Sequence, residues 1–455
     1  MLRFVTCWAT VLLFSGISLV ATAQEPGPAT PRVITFNEAV QVALENNTDI
    51  RQARNAIDQS TSQLTQRRGD FLPNLNLGVN GGQRFGTTFD QNVGEFVNES
   101  TFSMNLQAST SINAFDGFAK MARLRSAQFN VQGSELDLER TRQDVVFSVV
   151  SQYLDLILSR ENLSIQEENL EAQQQQLEQT EEFVRVGTQP RSDLFQQEAQ
   201  VANAELQVLQ AERQFQINQV QLVRTLQLDP FQDYAFEIMS LDEDDLVLQE
   251  YELRDLLQQS FDRRADLRSQ QQSIAAAEQG VREARSGYFP SLSLNASTSG
   301  NFTDQLEGFS FTDQVFDQRR TESIGFNVSI PIFDRLQTRN QVQQARVQRE
   351  NARITLEGNR QNVAIQVREA YLDYVNAQKR LDVTAVQERA AERALEATQE
   401  RYNVGSATLV ELTQAQADFV GAASDRVQAR YELVFQQRLI DYYVGVLNPS
   451  QPLFD

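Results

Sequence analysis

Val186-Gly187-Thr188 and Val404-Gly405-Ser406 each interrupt a long polar helical pattern, and they stand 218 residues apart. The same step carries Tyr153-Leu154-Asp155 to Tyr371-Leu372-Asp373, and Phe115-Asp116 to Phe333-Asp334. A step of 217 carries Leu72-Pro73 to Phe289-Pro290, and Asp49-Ile50 to Asp266-Leu267. Anchors kept in one order, with one residue gained between them, mark an internal duplication. The chain must therefore fold as two copies of one large unit. The first spans 24–230 and the second 251–446, with a linker at 231–250 and a tail at 447–455.

Each copy has the same internal order. A helical segment (Asn37 to Arg68; Glu252 to Arg285) leads to an alternating stretch, LNLGVN or LSLNAS. After a loop rich in Gly, Asn and Phe comes a second alternating stretch. It carries Phe102, Met104, Leu106 and Ala108 in one copy, and Ile324, Phe326, Val328 and Ile330 in the other. Period two predicts strands, paired at about 72–114 and 290–332. Each stretch has the length that a tilted membrane strand needs. A half-buried soluble hairpin has the same pattern.

The remainder of each copy is helical. From Ala119 to Val186 there is no Pro and only one Gly, Gly133. At about 1.5 Å per residue such a helix runs roughly 100 Å. Leu156, Leu163, Leu170, Leu177 and Val184 recur every seven residues, as do Leu194, Val201, Val208, Phe215 and Leu222 beyond the turn. Ala204 and Ala211 line a second stripe. The second copy repeats the pattern with Leu412, Phe419, Leu433 and Ile440, plus Ala415, Ala422 and Ala429, interrupted at Arg426. A seven-residue period specifies coiled-coil packing, and alanines let helices approach closely. Each Val-Gly stretch is then the tip of a long antiparallel hairpin, with tips near 187 and 405. The glycine suits a left-handed helix end, and Pro190 suits the first turn of the next helix.

Composition removes whole classes of chemistry. The chain has no His, and its single Cys is Cys7. Cys7 lies in MLRFVTCWATVLLFSGISLVATAQ, where Arg3 precedes an apolar run ending in Ala21-Thr22-Ala23. This reads as a secretory signal cut after residue 23; an uncleaved anchor is the alternative, disfavoured by the Ala-x-Ala ending. Disulfides, thiol chemistry, His metal sites and His acid–base catalysis are excluded from the rest, and no cofactor is expected. Asp242 to Asp245 read as a solvated turn rather than a catalytic pair. A formal net charge of −21 makes a poor binder of nucleic acid and favours cations in any conduit. Past the signal, no run approaches about 18 apolar residues, so no membrane-spanning helix is expected. A β-barrel escapes that test.

Strand pairs at one end of duplicated helical hairpins resemble the TolC-type outer-membrane efflux family. The resemblance covers essentially the whole chain after the signal. It rests on the repeat order, the Leu-Pro and Phe-Pro strand entries, the Phe-Asp exits and both Val-Gly tips. It implies an α+β membrane protein in which four strands per chain complete a homotrimeric twelve-stranded outer-membrane β-barrel above a periplasmic α-helical tunnel. Elementary physics agrees on one point: four strands cannot close alone, and open edges are forbidden in lipid. The implied function is passive conduction from an inner-membrane transporter, through a periplasmic adaptor, to the exterior, as in efflux or type I secretion. A periplasmic coiled-coil adaptor or a scaffold without a pore would explain the heptads, but not the duplicated strand pairs.

The resemblance also assigns residues. Val186, Gly187, Thr188, Val404, Gly405 and Ser406 match the adaptor-docking tips. Tyr402 and Asp193 match a pair that bonds across the closed entrance, and Glu411 matches an acid of an entrance ring. Gln414 falls where a second acid is expected, and Ala407 where an arginine is expected. Locally, Thr408-Leu-Val-Glu411 also fits a capping box, with Glu411 reaching back to the cap amide.

Overall fold

The computed structural model describes residues 32–90, 94–238, 248–306 and 308–447. The signal segment, Asp242 to Asp245 and most of the C-terminal tail lie outside these residues. The chain order is β1 (Arg32–Ile34), α1 (Phe36–Asn46), α2 (Thr48–Gly69), β2 (Asn74–Asp90), β3 (Glu95–Asp116), α3 (Ala119–Arg185) and α4 (Arg191–Thr225). It continues as β4 (Tyr234–Phe236), α5 (Leu253–Arg263), α6 (Ala265–Ser286), β5 (Ser291–Thr303), β6 (Arg320–Ser329), α7 (Gln337–Asn403) and α8 (Leu409–Val444). Helices α3 and α7 are each 67 residues long, which corresponds to about 100 Å.

The entry and exit motifs have local causes. After β3, Gly117 and Phe118 both take positive φ, and after β6 Arg335 and Leu336 do the same. These left-handed pairs turn the chain from strand to long helix. The aspartate of each Phe-Asp motif then accepts a hydrogen bond from a first-turn helix amide: Lys120 N to Asp116 at 3.0 Å, Thr338 N to Asp334 at 2.7 Å. Such a side-chain acceptor satisfies amides that the helix itself leaves unpaired. Only glycine fits at 117, where a Cβ would lie 2.6 Å from the Ser286 carbonyl oxygen.

Each helical segment before the strands is two helices, not the single one expected. The breaks fall at Asn47 and Arg264, 217 residues apart, and both residues are extended (ψ 134° and 123°). The Asn47 side chain accepts from Asp49 N at 2.8 Å and so replaces the lost helical bond. Each break turns a short helix against the middle of the bundle. There α1, β1 and β4 bury Ile34, Phe36 and Phe236 with Tyr153 and Leu156 of α3 and Tyr431 of α8. A second core gathers Leu256 of α5 with Val367 and Tyr374 of α7 and Leu433 and Ile440 of α8. Two buried tyrosines clasp the inter-repeat connection: the Tyr153 hydroxyl donates to the Glu237 carbonyl, and Tyr374 to the Gln249 carbonyl at 2.7 Å.

The coiled-coil stripe is fully buried in part; Leu170, Leu177, Val184, Leu194, Val201, Val208, Phe215, Ala415 and Phe419 are half-buried in the single chain. Leu156, Leu163, Ala204, Ala211 and Leu222 are buried in the first hairpin, and Leu412, Ala422, Ala429, Leu433 and Ile440 in the second. Arg426 does not leave the stripe; it is buried and donates to the Leu381 carbonyl across the hairpin.

Candidate functional site at the hairpin tips and the sheet

The four long strands form one antiparallel sheet in the order β2-β3-β5-β6. Opposite residues in an antiparallel pair share a face, so the register sorts every side chain. Leu77 opposes Ala108, which opposes Thr298; Val79 opposes Leu106, which opposes Gly300. Leu294 opposes Phe326 and Leu292 opposes Val328. One face thus carries Leu, Ile, Val, Phe and Ala. The other carries Asn76, Asn105, Gln107, Ser109, Asn295, Ser297 and Asn327. Ile324 is 91% exposed and Leu75 79% in the single chain, an apolar surface that water would not tolerate over a whole sheet. Apolar outside and uncharged polar inside is the pattern of a barrel strand in lipid. Among the described residues, the outer strands β2 and β6 each keep one unpaired edge.

At the far end of the helices the two tips are built alike. Gly187 (φ 80°) and Gly405 (φ 75°) take the left-handed conformation. The following amides bond back: Thr188 N to Phe183 O at 2.9 Å, and Ser406 N to Arg401 O at 2.7 Å. The hydroxyls of Thr188 and Ser406 donate to those same carbonyls at 2.9 and 3.1 Å. Glycine and hydroxyl are therefore accounted for by helix termination. Val186 and Val404 are not: they stand 64% and 77% exposed.

The tips of the two hairpins are joined by uncharged groups. The Tyr402 hydroxyl, on a ring only 3% exposed, meets the amide of Gln189 at 3.1 Å, not the carboxylate of Asp193. Gln179 donates to Asn403 at 3.2 Å, and Gln399 to Gln176 at 3.3 Å. Asp193 accepts from Ser192 at 3.2 Å, and Gln414 donates to Asp418 at 2.8 Å. The Tyr402 ring packs with Leu409 and Leu412, and Ala407 lies against that cluster.

Glu411 forms half of the expected capping box. Its amide donates to Thr408 Oγ1 at 3.3 Å, but its carboxylate pairs with Arg401 at 3.3 Å instead of reaching back to the cap amide. Arg401 also donates to the Ser406 carbonyl at 3.2 Å, so it holds the turn and the acid together.

Three amides of the polar helices are buried rather than solvated. Gln173, Gln176 and Gln197 are buried, and Gln197 Nε2 donates to Gln173 Oε1 at 2.8 Å. The sequence does carry the clue: Gln197, Ala204, Ala211 and Asn218 share one seven-residue step, so the alanine stripe ends in an amide on each side. Asn218 donates to the Asp155 carbonyl at 3.0 Å beside a groove of about 530 Å³ between α3, α4 and α8. Burial raises the pKa of the Asp155 side chain above its usual range. Among the described residues no helix is long and apolar enough to cross a membrane, and no cluster of acidic side chains could hold a metal ion.

Comparison with known proteins meets this geometry at each level. The chain is 24% identical over 430 residues to the outer membrane protein TolC of Escherichia coli K12, covering 91% of this chain and 83% of that one. It is 24% identical over 423 residues to the protein CyaE of Bordetella pertussis, covering 92% and 86%. Its fold superposes on the crystal structure of the Campylobacter jejuni CmeC outer membrane channel with a TM-score of 0.75 at 21% identity, over 92% of this chain and 87% of the other. The profile described as outer membrane efflux protein matches twice, at 39–226 and 256–445, once on each repeat. With both halves of its duplication matched, the chain belongs to the outer membrane efflux protein family.

Proposed function

We propose that this chain is one third of an outer-membrane exit duct that passively conducts substrates out of the periplasm in an efflux or type I secretion system. The observation that carries this reading is the two-faced sheet with both edges open, set at one end of helices about 100 Å long. Lipid forbids unpaired strand edges, so β6 of one protomer must pair with β2 of the next. Three chains give twelve strands, the closed barrel that the family resemblance implies. The helical hairpins then form the periplasmic tunnel, with the short helices and the two-stranded pair of β1 with β4 as a belt around its middle.

The tips face an adaptor and, beyond it, an inner-membrane transporter. Exposed Val186 and Val404 supply the apolar contacts of that docking surface, and Gly187, Thr188, Gly405 and Ser406 shape the turns that present them. Opening requires the tips to part, and the bonds between Tyr402 and Gln189, Gln179 and Asn403, and Gln399 and Gln176 are what must break. Glu411 and Arg401 edge the entrance. No chemical step is performed; the work comes from the transporter.

Purification in detergent followed by mass determination and planar-bilayer recording tests this. A trimer with discrete conductance is expected. A monomer that inserts without conducting would refute it.

A further inference from the structure

The connection between β5 and β6 folds back onto the sheet, and Gly300 fixes the side on which it lies. A Cβ on Gly300 would sit 2.2 Å from the Val315 carbonyl oxygen, so the connection is packed tightly against that residue. Gly300 opposes Leu106 on β3, which places its missing side chain on the apolar face. The six-residue π-helical turn Asp313–Gln318 therefore covers the outward face, not the polar face lining the passage.

It is fastened there by buried groups. Gln314, 1% exposed, accepts from Thr303 N at 3.0 Å and donates to the Thr303 carbonyl at 3.1 Å. Val315 is 2% exposed against Gly300. The Phe311 ring lies 5.4 Å from that of Phe302, which opposes Met104 on the apolar face. What the turn offers outward is aromatic: Phe309, Phe311 and Phe316 are 43%, 38% and 51% exposed.

Its height on the barrel is also readable. Along β6 the outward face runs Val328, Phe326, Ile324 and then Glu322 and Arg320, which pair at 3.2 Å. The apolar band ends there, and the turn begins there. Because the helices leave from the opposite strand ends, this margin belongs to the exterior side of the membrane.

We propose that the β5–β6 connection is a membrane anchor whose partner is the acyl-chain boundary of the outer leaflet, with Phe309, Phe311 and Phe316 inserted among the lipid chains. Aromatic side chains are favoured at this depth, where the apolar band gives way to headgroups. The exposed rings are continuous with the lipid-facing surface of the sheet, so the lipid that covers one covers the other. This rests on the outer-membrane reading of the sheet.

The sequence has one tryptophan, Trp8, within the expected secretory signal, so the parent protein purified without that segment serves as the spectroscopic blank. Phe316→Trp is purified as the trimer and placed in phosphatidylcholine vesicles whose acyl chains are brominated near the headgroup. Blue-shifted emission, quenched about twofold or more relative to unbrominated vesicles, is expected. Ile324→Trp, on the sheet's apolar face, must also be quenched, and Asn301→Trp, on the polar face, must not. Gly300→Leu combined with Phe316→Trp should lose the quenching, because the added side chain displaces the turn. Ile324→Trp quenched with Phe316→Trp unquenched would overturn the anchor and leave the barrel standing, whether the emission is water-like or shows a protein-covered ring. Neither quenched would overturn both.

Discussion

Tyr402→Phe separates a neutral lock from a charged one at the entrance. The substitution keeps the ring that packs on Leu409 and Leu412 and removes only the hydroxyl that meets Gln189. A neutral hydrogen bond contributes about 0.5–1.5 kcal/mol net. Three copies in a trimer that opens as a unit would shift the closed–open balance by about 1.5–4.5 kcal/mol, roughly 10- to 1,000-fold at 1.4 kcal/mol per decade. The assay is the open probability of single channels in planar bilayers. Gln189→Leu should reproduce the effect, and the double variant should add little, because both remove one bond. Asp193→Asn should change little, since among the described residues that carboxylate meets only Ser192. The exposed Arg401–Glu411 pair should matter less than about 1 kcal/mol and fade with salt. An Asp193→Asn channel that opens more readily than Tyr402→Phe would refute the neutral lock and restore a charged one between protomers.

Val186→Ser together with Val404→Ser should weaken adaptor capture in a crosslinking assay and leave the trimer intact, because both valines are mostly exposed in the chain; unchanged capture would remove the tips as the docking surface. Asp155→Asn tests a buried carboxyl: its raised pKa means that the folded chain keeps a proton after the unfolded chain, with a pKa of about 3.9, has lost it. Stability then falls as pH rises through that window, so the substitution should raise the melting temperature at pH 7 and give no gain below about pH 4.

The duplication made most of the architecture legible, since Phe115-Asp116 and Phe333-Asp334 announce the strand-to-helix turns and the heptads announce the hairpins. The helix breaks at Asn47 and Arg264 fall at neither a Gly nor a Pro; Asn47 carries a local cue as the cap of the next helix, Arg264 carries none, and both short helices pack on the long ones, α1 on α3 and α5 on α7. The strand faces were half legible: the alternation was plain, but which residues oppose which depends on register, and register decides that one face carries no charge through the apolar band. At the tips, the family resemblance pointed to Tyr402 but not to Gln189, because Gln189 lies off the seven-residue step that marks the buried Gln197. The hydroxyls of Thr188 and Ser406, assigned to the docking tips, also terminate their helices, a role that the motif alone did not show.

The two open edges of the sheet are unlike, one belonging to β2 and the other to β6. Protomers must therefore join head to tail, each giving one edge and taking the other. A copy with a spoiled β6 edge would still present an intact β2 and would still be accepted by a healthy neighbour. In a cell making both kinds equally, only about one three-membered ring in eight would contain healthy chains alone. Loss of an edge strand in one gene copy would thus act as a poison rather than as a simple deficit, whereas deletion of the same copy would merely halve the supply.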